Sequence, residues 1–109
     1  MTDVGEHDLE ELTKRYGELV RDVDWNDLAD IAEPLRELAG LGEPRAMDLL
    51  AIHLSDADSH ANRAEIIALH EGAHDRGSLT AAGNLSIYYR EQGEPELSEA
   101  WSRKAEQRG

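Results

Sequence analysis

The segment AAGNLSIYYREQGEPELSEAWSRKAEQRG, residues 81–109, contains two apolar patterns separated by a turn. In both patterns the apolar residues recur at spacings of three and four, which is typical of an amphipathic helix. Gly93 ends the first pattern and Pro95 opens the second, because glycine suits the turn after a helix and proline suits a first helical turn. The segment therefore predicts a pair of antiparallel helices.

The remainder of the chain continues this pattern of helices and short connections. Further helices are predicted over residues 8–22, 24–40, 44–54 and 61–77. Pro34 predicts a kink or break near Glu33, since a proline inside a helix removes one hydrogen bond. The helix that starts at Pro44 is apolar nearly all round and is expected to be the most buried, and Asp58 or Ser59 is a candidate cap for the helix after it. No alternating apolar and polar run requires a strand.

Two shifts of the sequence align one helix pair with the next. A shift of 35 residues pairs Gly42 with Gly77, Ala46 with Ala81, Leu50 with Leu85, Ile52 with Ile87, and Leu54 with Tyr89. A shift of 32 residues pairs Ala68 with Ala100, Leu69 with Trp101, Ala73 with Ala105, and Gly77 with Gly109. The shifts differ because the loop SDADSH lengthens the earlier pair. The repeating unit is a helix pair, and a single domain over residues 1–109 divides into 8–40, 42–77 and 78–109.

Residues 81–109 resemble one repeat of the tetratricopeptide superfamily. The ending that is similar to its Sel-like branch consists of Ala100, Trp101, Lys104, Ala105 and Gly109. Residues 42–77 resemble a more degenerate second unit, and residues 8–40 have the size of an atypical terminal pair. The chain departs from the family pattern at two positions: Ser86 stands where the family often has Gly, and Ser98 where it often has Ala. The resemblance implies an all-α fold, a right-handed stack of antiparallel helix hairpins with about six helices in three pairs, which form a short α-solenoid.

Composition limits the classes of function. The chain has 109 residues, no cysteine and 39% hydrophobic residues, and no apolar run approaches the ~18 residues of a membrane span. We therefore expect a soluble, cytoplasmic protein. The formal charge of −13 disfavours nucleic acid and anionic membranes and favours a basic partner, although an acidic surface also serves solubility alone.

The sequence HEGAH at residues 70–74 has the HExxH spacing of zinc hydrolases. His70 and His74 fall one helical turn apart and Glu71 is the candidate base, but Thr80 stands where one related motif supplies a third histidine. The shift of 32 pairs His70 with Ser102, Glu71 with Arg103, and His74 with Glu106. These positions lie beside the apolar stripe, so we expect surface residues with no catalytic, metal or cofactor role. A small zinc hydrolase remains a minor alternative.

In stacked helix pairs, the first helices line a concave face that binds peptides or proteins. The residues expected on this face are Arg45, Asp48, Ile52 and Ser55, and at the equivalent places Thr80, Gly83, Ile87 and Arg90. Each stripe offers one isoleucine among polar or small residues, although both could instead pack internally. The leading hypothesis is a non-catalytic protein-binding adaptor. The alternative is an acidic inhibitor, such as an immunity protein, an antitoxin or a nucleic-acid mimic, and self-association through an uncapped end is a further expectation.

Overall fold

The computed structural model describes residues 31–108, which form five helices and no strand. The helices are α1 (Ala32–Gly40), α2 (Pro44–Asp58), α3 (Arg63–Asp75), α4 (Ala81–Glu91) and α5 (Pro95–Arg108). The all-α prediction is confirmed for this part of the chain. The helix expected at residues 8–22 lies outside the described residues.

Helix α1 begins at Ala32, so Pro34 lies in its first turn. The N–H groups of the first helical turn have no partner within the helix, so the missing N–H of proline costs no intrahelical hydrogen bond there. Ile31, the residue before the helix, has φ −116° and ψ 23°, which is not helical backbone. The part of the predicted helix before residue 31 lies outside the described residues.

Helix α2 begins at Pro44, as predicted, and Glu43 caps it. The Glu43 carboxylate accepts hydrogen bonds from the backbone N–H groups of Arg45 at 3.2 Å and Ala46 at 2.6 Å, which satisfies two donors that have no partner within the helix. As expected for its nearly continuous apolar sequence, α2 is the most buried of the described helices. Its buried residues are Ala46, Met47, Asp48, Leu49, Leu50, Ala51 and Leu54.

The end of α2 differs from the prediction. The helix continues through Asp58, beyond the expected end at residue 54. Neither Asp58 nor Ser59 caps α3, because that helix begins later, at Arg63. The Asp58 carboxylate instead accepts from the N–H groups of His60 at 3.2 Å and Ala61 at 2.8 Å. This carboxylate therefore holds the turn between the helices. The last turn of α2 was predicted as a loop because the segment SDADSH is mostly polar.

Two glycines that the 35-residue shift aligns end their helices in the same conformation. Gly42 has φ +87° and Gly77 has φ +96°, a left-handed backbone that favours glycine. After each of them, a backbone N–H bonds back to a carbonyl five residues earlier: Glu43 to Leu38 at 3.0 Å, and Ser78 to Ala73 at 2.9 Å. This is the Schellman arrangement, in which glycine reverses the chain while the last carbonyls of the helix stay bonded.

The core is formed by helices that pack on their neighbours along the chain, and the packing is closest between α2 and α3 and between α4 and α5. Leu35, Leu38, Leu49, Ile66 and Leu85 are its largest fully buried side chains. Trp101 joins the core at 9% exposure. Among the helices of residues 31–108, none combines the length and the apolar character that a membrane crossing needs.

The same substitution at two glycines should change stability in opposite directions. A Cβ would meet no atom within 4 Å at either Gly77 or Gly83, but only Gly77 has a positive φ. We expect Gly77→Ala to cost about 1–2 kcal/mol, because alanine is strained in left-handed backbone. Gly83→Ala, within α4, should stabilise by about 0.5–1 kcal/mol. Urea denaturation measures both, and a loss at Gly83 would contradict the open space beside it.

Candidate functional site

A buried carboxylate connects α2, α3 and the start of α4. Asp48 of α2 is 2% exposed, and its Oδ1 lies 2.7 Å from Nδ1 of His70 on α3. Its Oδ2 accepts from the hydroxyls of Ser78 at 2.5 Å and Thr80 at 3.1 Å, just before α4. A buried charge is tolerated when it is paired and hydrogen-bonded, and these three donors meet that requirement.

The Asp48 contacts correct one prediction for the concave face. Asp48 was expected to face a partner, but its carboxylate is buried and bonded within the protein. The reason lies in the surrounding sequence, since α2 is buried on most sides and an acidic residue there must find its partners inside. Thr80, expected on the same face, is exposed and also donates to this carboxylate.

His70 corrects a second prediction. The residue was expected on the surface, but it is 3% exposed and lies on the buried face of α3 with Ile66 and Ala73. The error came from pairing His70 with Ser102, because the final helix has no Asp48 beside it to keep a polar ring inside. A carboxylate only accepts hydrogen bonds, so Nδ1 of His70 carries the hydrogen of this contact.

A groove of about 230 Å³ lies between α2 and α4, with α3 beneath it. Its lining residues are Ile52, Ser55 and Asp56 from α2, Ile66 and His70 from α3, and Asn84, Ile87, Tyr88 and Glu91 from α4. Ile66 and His70 are buried and form the floor, whereas Ile87 is 46% exposed at the rim. The side chains from each helix recur at spacings of three and four, so each helix presents one face to the groove.

The groove brings together part of the predicted partner-binding set. Ile52, Ser55 and Ile87 all line it, and they come from the two stripes that were expected to face the same way. Arg45 and Arg90 are exposed but do not line the groove. Ile52 is half-buried and packs against the core, so it serves the fold as well as the groove.

Sequence reasoning missed six residues of the groove lining, namely Asp56, Ile66, His70, Asn84, Tyr88 and Glu91. A helical signal existed for two of them. Asp56 follows Ile52 by four residues and Glu91 follows Ile87 by four, which places each carboxylate one turn beyond an isoleucine on the same helix face. The floor had no such signal, because it depends on how α3 packs beneath the other two helices.

The end of the groove far from Asp48 is held by contacts from the α2–α3 turn. The Tyr88 hydroxyl donates to the backbone oxygen of Ser59 at 2.7 Å. Burial raises the pKa of Tyr88 and also that of Tyr89, because a phenolate is poorly solvated there. Arg63 forms a bidentate pair with Glu94 at 2.7 and 3.1 Å, and this hydrogen bonding raises the pKa of Arg63.

The residues of HEGAH divide between two sides of α3. His70 faces the groove and Asp48, whereas Glu71 and His74 line a separate cavity of about 430 Å³ beside α5. The His74 ring is half-buried and makes an edge contact with Trp101, with ring centroids 5.4 Å apart. The exposed position of Glu71 agrees with the prediction, and the half-buried position of His74 does not. Within residues 31–108, no group of three or more His, Cys, Asp or Glu side chains is placed to hold a metal ion.

Comparison with known proteins identifies no relative of this chain. No family model matches the chain, and no curated protein or solved structure matches it.

Proposed function

We propose that this protein is a non-catalytic interaction module that binds a peptide or protein segment in the groove between α2 and α4. The observation that carries the proposal is the groove itself, in which an exposed isoleucine, Ile87, stands opposite a second isoleucine, Ile52, above a floor formed by Ile66 and His70. A partly exposed apolar centre with a polar rim is the arrangement that anchors a partner side chain. A cytoplasmic location is part of the same proposal.

The size of the groove favours a side chain over a small-molecule ligand. Sites for cofactors and drug-sized ligands usually enclose about 300–1,000 Å³. The groove measures about 230 Å³, and its rim on α4 is exposed at Ile87 and Glu91. It therefore suits one or two side chains of a longer segment that continues across the surface.

The burial pattern supports the proposed repeat of helix pairs. Three pairs of positions related by the 35-residue shift have similar burial: Ala46 and Ala81 are both 0% exposed, Leu50 and Leu85 are 2% and 0%, and Leu54 and Tyr89 are 8% and 6%. Such agreement is expected when two successive units pack in the same way. We propose on this basis that the helices form a short right-handed stack of hairpins resembling tetratricopeptide and Sel-like repeats, with α2 and α4 as first helices.

Capture of partners from the native cell lysate tests the proposed function. Wild-type protein should retain a specific partner that Ile87→Asp loses, because a charge at the centre of the groove would have to be desolvated on binding. Leu97→Asp is the matched control. Leu97 is 43% exposed, close to the 46% of Ile87, but it lies on α5 and does not line the groove. Equal loss of the partner in both variants would contradict the groove as the binding surface.

The high negative charge supports a second candidate function, an acidic inhibitor that occupies a basic site. The formal charge of −13 on 109 residues favours this class, and the partner would then be held by the wider acidic surface. Its binding should weaken steeply with salt and depend little on Ile87. The same capture experiment at low and high salt separates the two functions. A metal-dependent hydrolase activity abolished by Glu71→Gln would overturn both in favour of the zinc enzyme.

A further inference from the structure

We infer that the groove selects a basic segment, in which an aliphatic side chain is flanked by arginine or lysine. This inference rests on the proposed function and specifies the chemistry of the partner. It depends on three features of the groove: its two isoleucines, the charge of its rim, and the hydrogen-bonding character of its lining.

The rim of the groove is acidic and contains no cation. Asp56 on α2 and Glu91 on α4 are both exposed, and they stand on opposite walls. Neither carboxylate forms an ion pair among residues 31–107, although other acidic residues there, such as Glu65 and Glu94, do. The nine lining residues include no lysine or arginine. A cationic side chain from a partner would therefore find two carboxylates and no lysine or arginine among the residues that line the groove.

The other polar groups of the lining do not offset the acceptor character of the rim. Nδ1 of His70 is occupied by its contact with Asp48, which leaves only Nε2 of the ring for other groups. Tyr88 could donate, but its hydroxyl is already engaged with the Ser59 carbonyl. Ser55 and Asn84 bring donors as well as acceptors, whereas the carboxylates of Asp56 and Glu91 bring acceptors alone, so acceptors outnumber available donors in the groove. Arginine and lysine side chains carry donors and no acceptor, so they match this set, whereas a carboxylate would be repelled.

The apolar centre requires an aliphatic neighbour next to the cation. Ile87 is 46% exposed, and it faces Ile52 across the groove. An aliphatic side chain between them would bury apolar surface that water now covers. Specificity would then come from charge at the rim and affinity from the centre, a division that is common in protein interfaces.

Three synthetic peptides that carry an uncharged dye test this inference by fluorescence anisotropy. The basic probe has an Arg-Leu-Leu-Arg centre between Gly-Ser arms, the acidic probe has glutamate for both arginines, and the polar probe has serine for both leucines. We expect the basic probe to bind at least about tenfold more tightly than either of the others, because it alone matches both the rim and the centre.

Charge-neutralising variants show which part of the acidic surface binds the basic probe. Asp56→Asn/Glu91→Gln should weaken the basic probe at least about fivefold, since two exposed carboxylate contacts are lost. Glu96→Gln/Glu106→Gln is the matched control. It removes the same charge from two exposed residues of α5 that do not line the groove, and it should change affinity less than about twofold.

Each contrary result has a separate meaning. Equal binding of the basic and acidic probes, with both weakened by Ile87→Asp, would overturn the inferred selectivity and leave the groove as a binding site. Equal weakening of the basic probe by the two double variants would place the attraction on the whole surface and would contradict the groove as well. Absence of binding by all three probes would overturn the inference, and partner capture with Ile87→Asp would still decide the proposed function.

Discussion

Replacing Asp48 with alanine should lower the free energy of unfolding by about 3–5 kcal/mol. The carboxylate is 2% exposed and takes hydrogen bonds from His70, Ser78 and Thr80, so its removal leaves a buried ring and two hydroxyls without their acceptor. Removing one member of a buried, hydrogen-bonded charged group costs about this much, because the His70 ring stays buried without its partner. Urea denaturation monitored by circular dichroism measures the loss.

Asp75→Ala is the control for the Asp48 prediction. Asp75 is the exposed last residue of α3, where an acidic side chain opposes the helix dipole, so its removal should change stability by less than about 0.5 kcal/mol. A double-mutant cycle between Asp48→Ala and His70→Ala should show a coupling energy of about 1–3 kcal/mol. A loss below about 1 kcal/mol for Asp48→Ala would mean that this carboxylate does not hold α2, α3 and α4 together.

Leu85→Ala should be similarly destabilising, by about 2–5 kcal/mol. Leu85 is 0% exposed on the buried face of α4, and truncation there removes apolar burial and leaves a cavity. Ile87→Ala, two residues further on the same helix, should cost less than about 1 kcal/mol, since Ile87 is 46% exposed. Thermal and urea unfolding of the two variants compare them directly.

The contrast between Leu85 and Ile87 tests the orientation of α4, on which the groove depends. If Ile87→Ala were as destabilising as Leu85→Ala, Ile87 would be packed inside and could not serve a partner. Equal and small losses would mean that α4 is not fixed on α3. Only a large loss at Leu85 with a small loss at Ile87 agrees with a rigid helix that presents Ile87 to solvent.

The sequence predicted the helices well because their signals are local. The proline at residue 44 and the glycines at residues 42, 77 and 93 mark helix starts and ends in the structure, and each acts within a few residues of chain. The end of α2 was predicted too early because Asp58 is polar, and a polar residue is equally suited to the last turn of a helix or to a loop.

The polar interior was harder to predict because it depends on contacts between helices. Asp48 and His70 are 22 positions apart, and neither residue alone signals burial. Two clues were nevertheless present. Asp48 stands among apolar residues on nearly every side of α2, and His70 falls between Ile66 and Ala73 at helical spacing. A buried acid requires a partner, and a histidine on the buried face of the next helix supplies one.

The groove between α2 and α4 was predicted in part. The 35-residue shift pairs Ile52 with Ile87 and predicted that both face the same way, and both line the groove. The neighbouring carboxylates of Asp56 and Glu91 were not predicted to line the groove, because acidic residues are frequent throughout the chain. Their importance is visible only once the groove shows which of the acidic residues stand beside an apolar centre.

Titration of the captured partner against three proteins is the most direct test of groove binding. Isothermal calorimetry would compare wild type, Ile87→Asp and Leu97→Asp at one salt concentration. We expect wild type and Leu97→Asp to bind within about twofold of each other and Ile87→Asp to bind at least about thirtyfold more weakly, as is typical for loss of a central apolar anchor. Undiminished binding by Ile87→Asp, or equal weakening by Leu97→Asp, would contradict binding in the groove between α2 and α4.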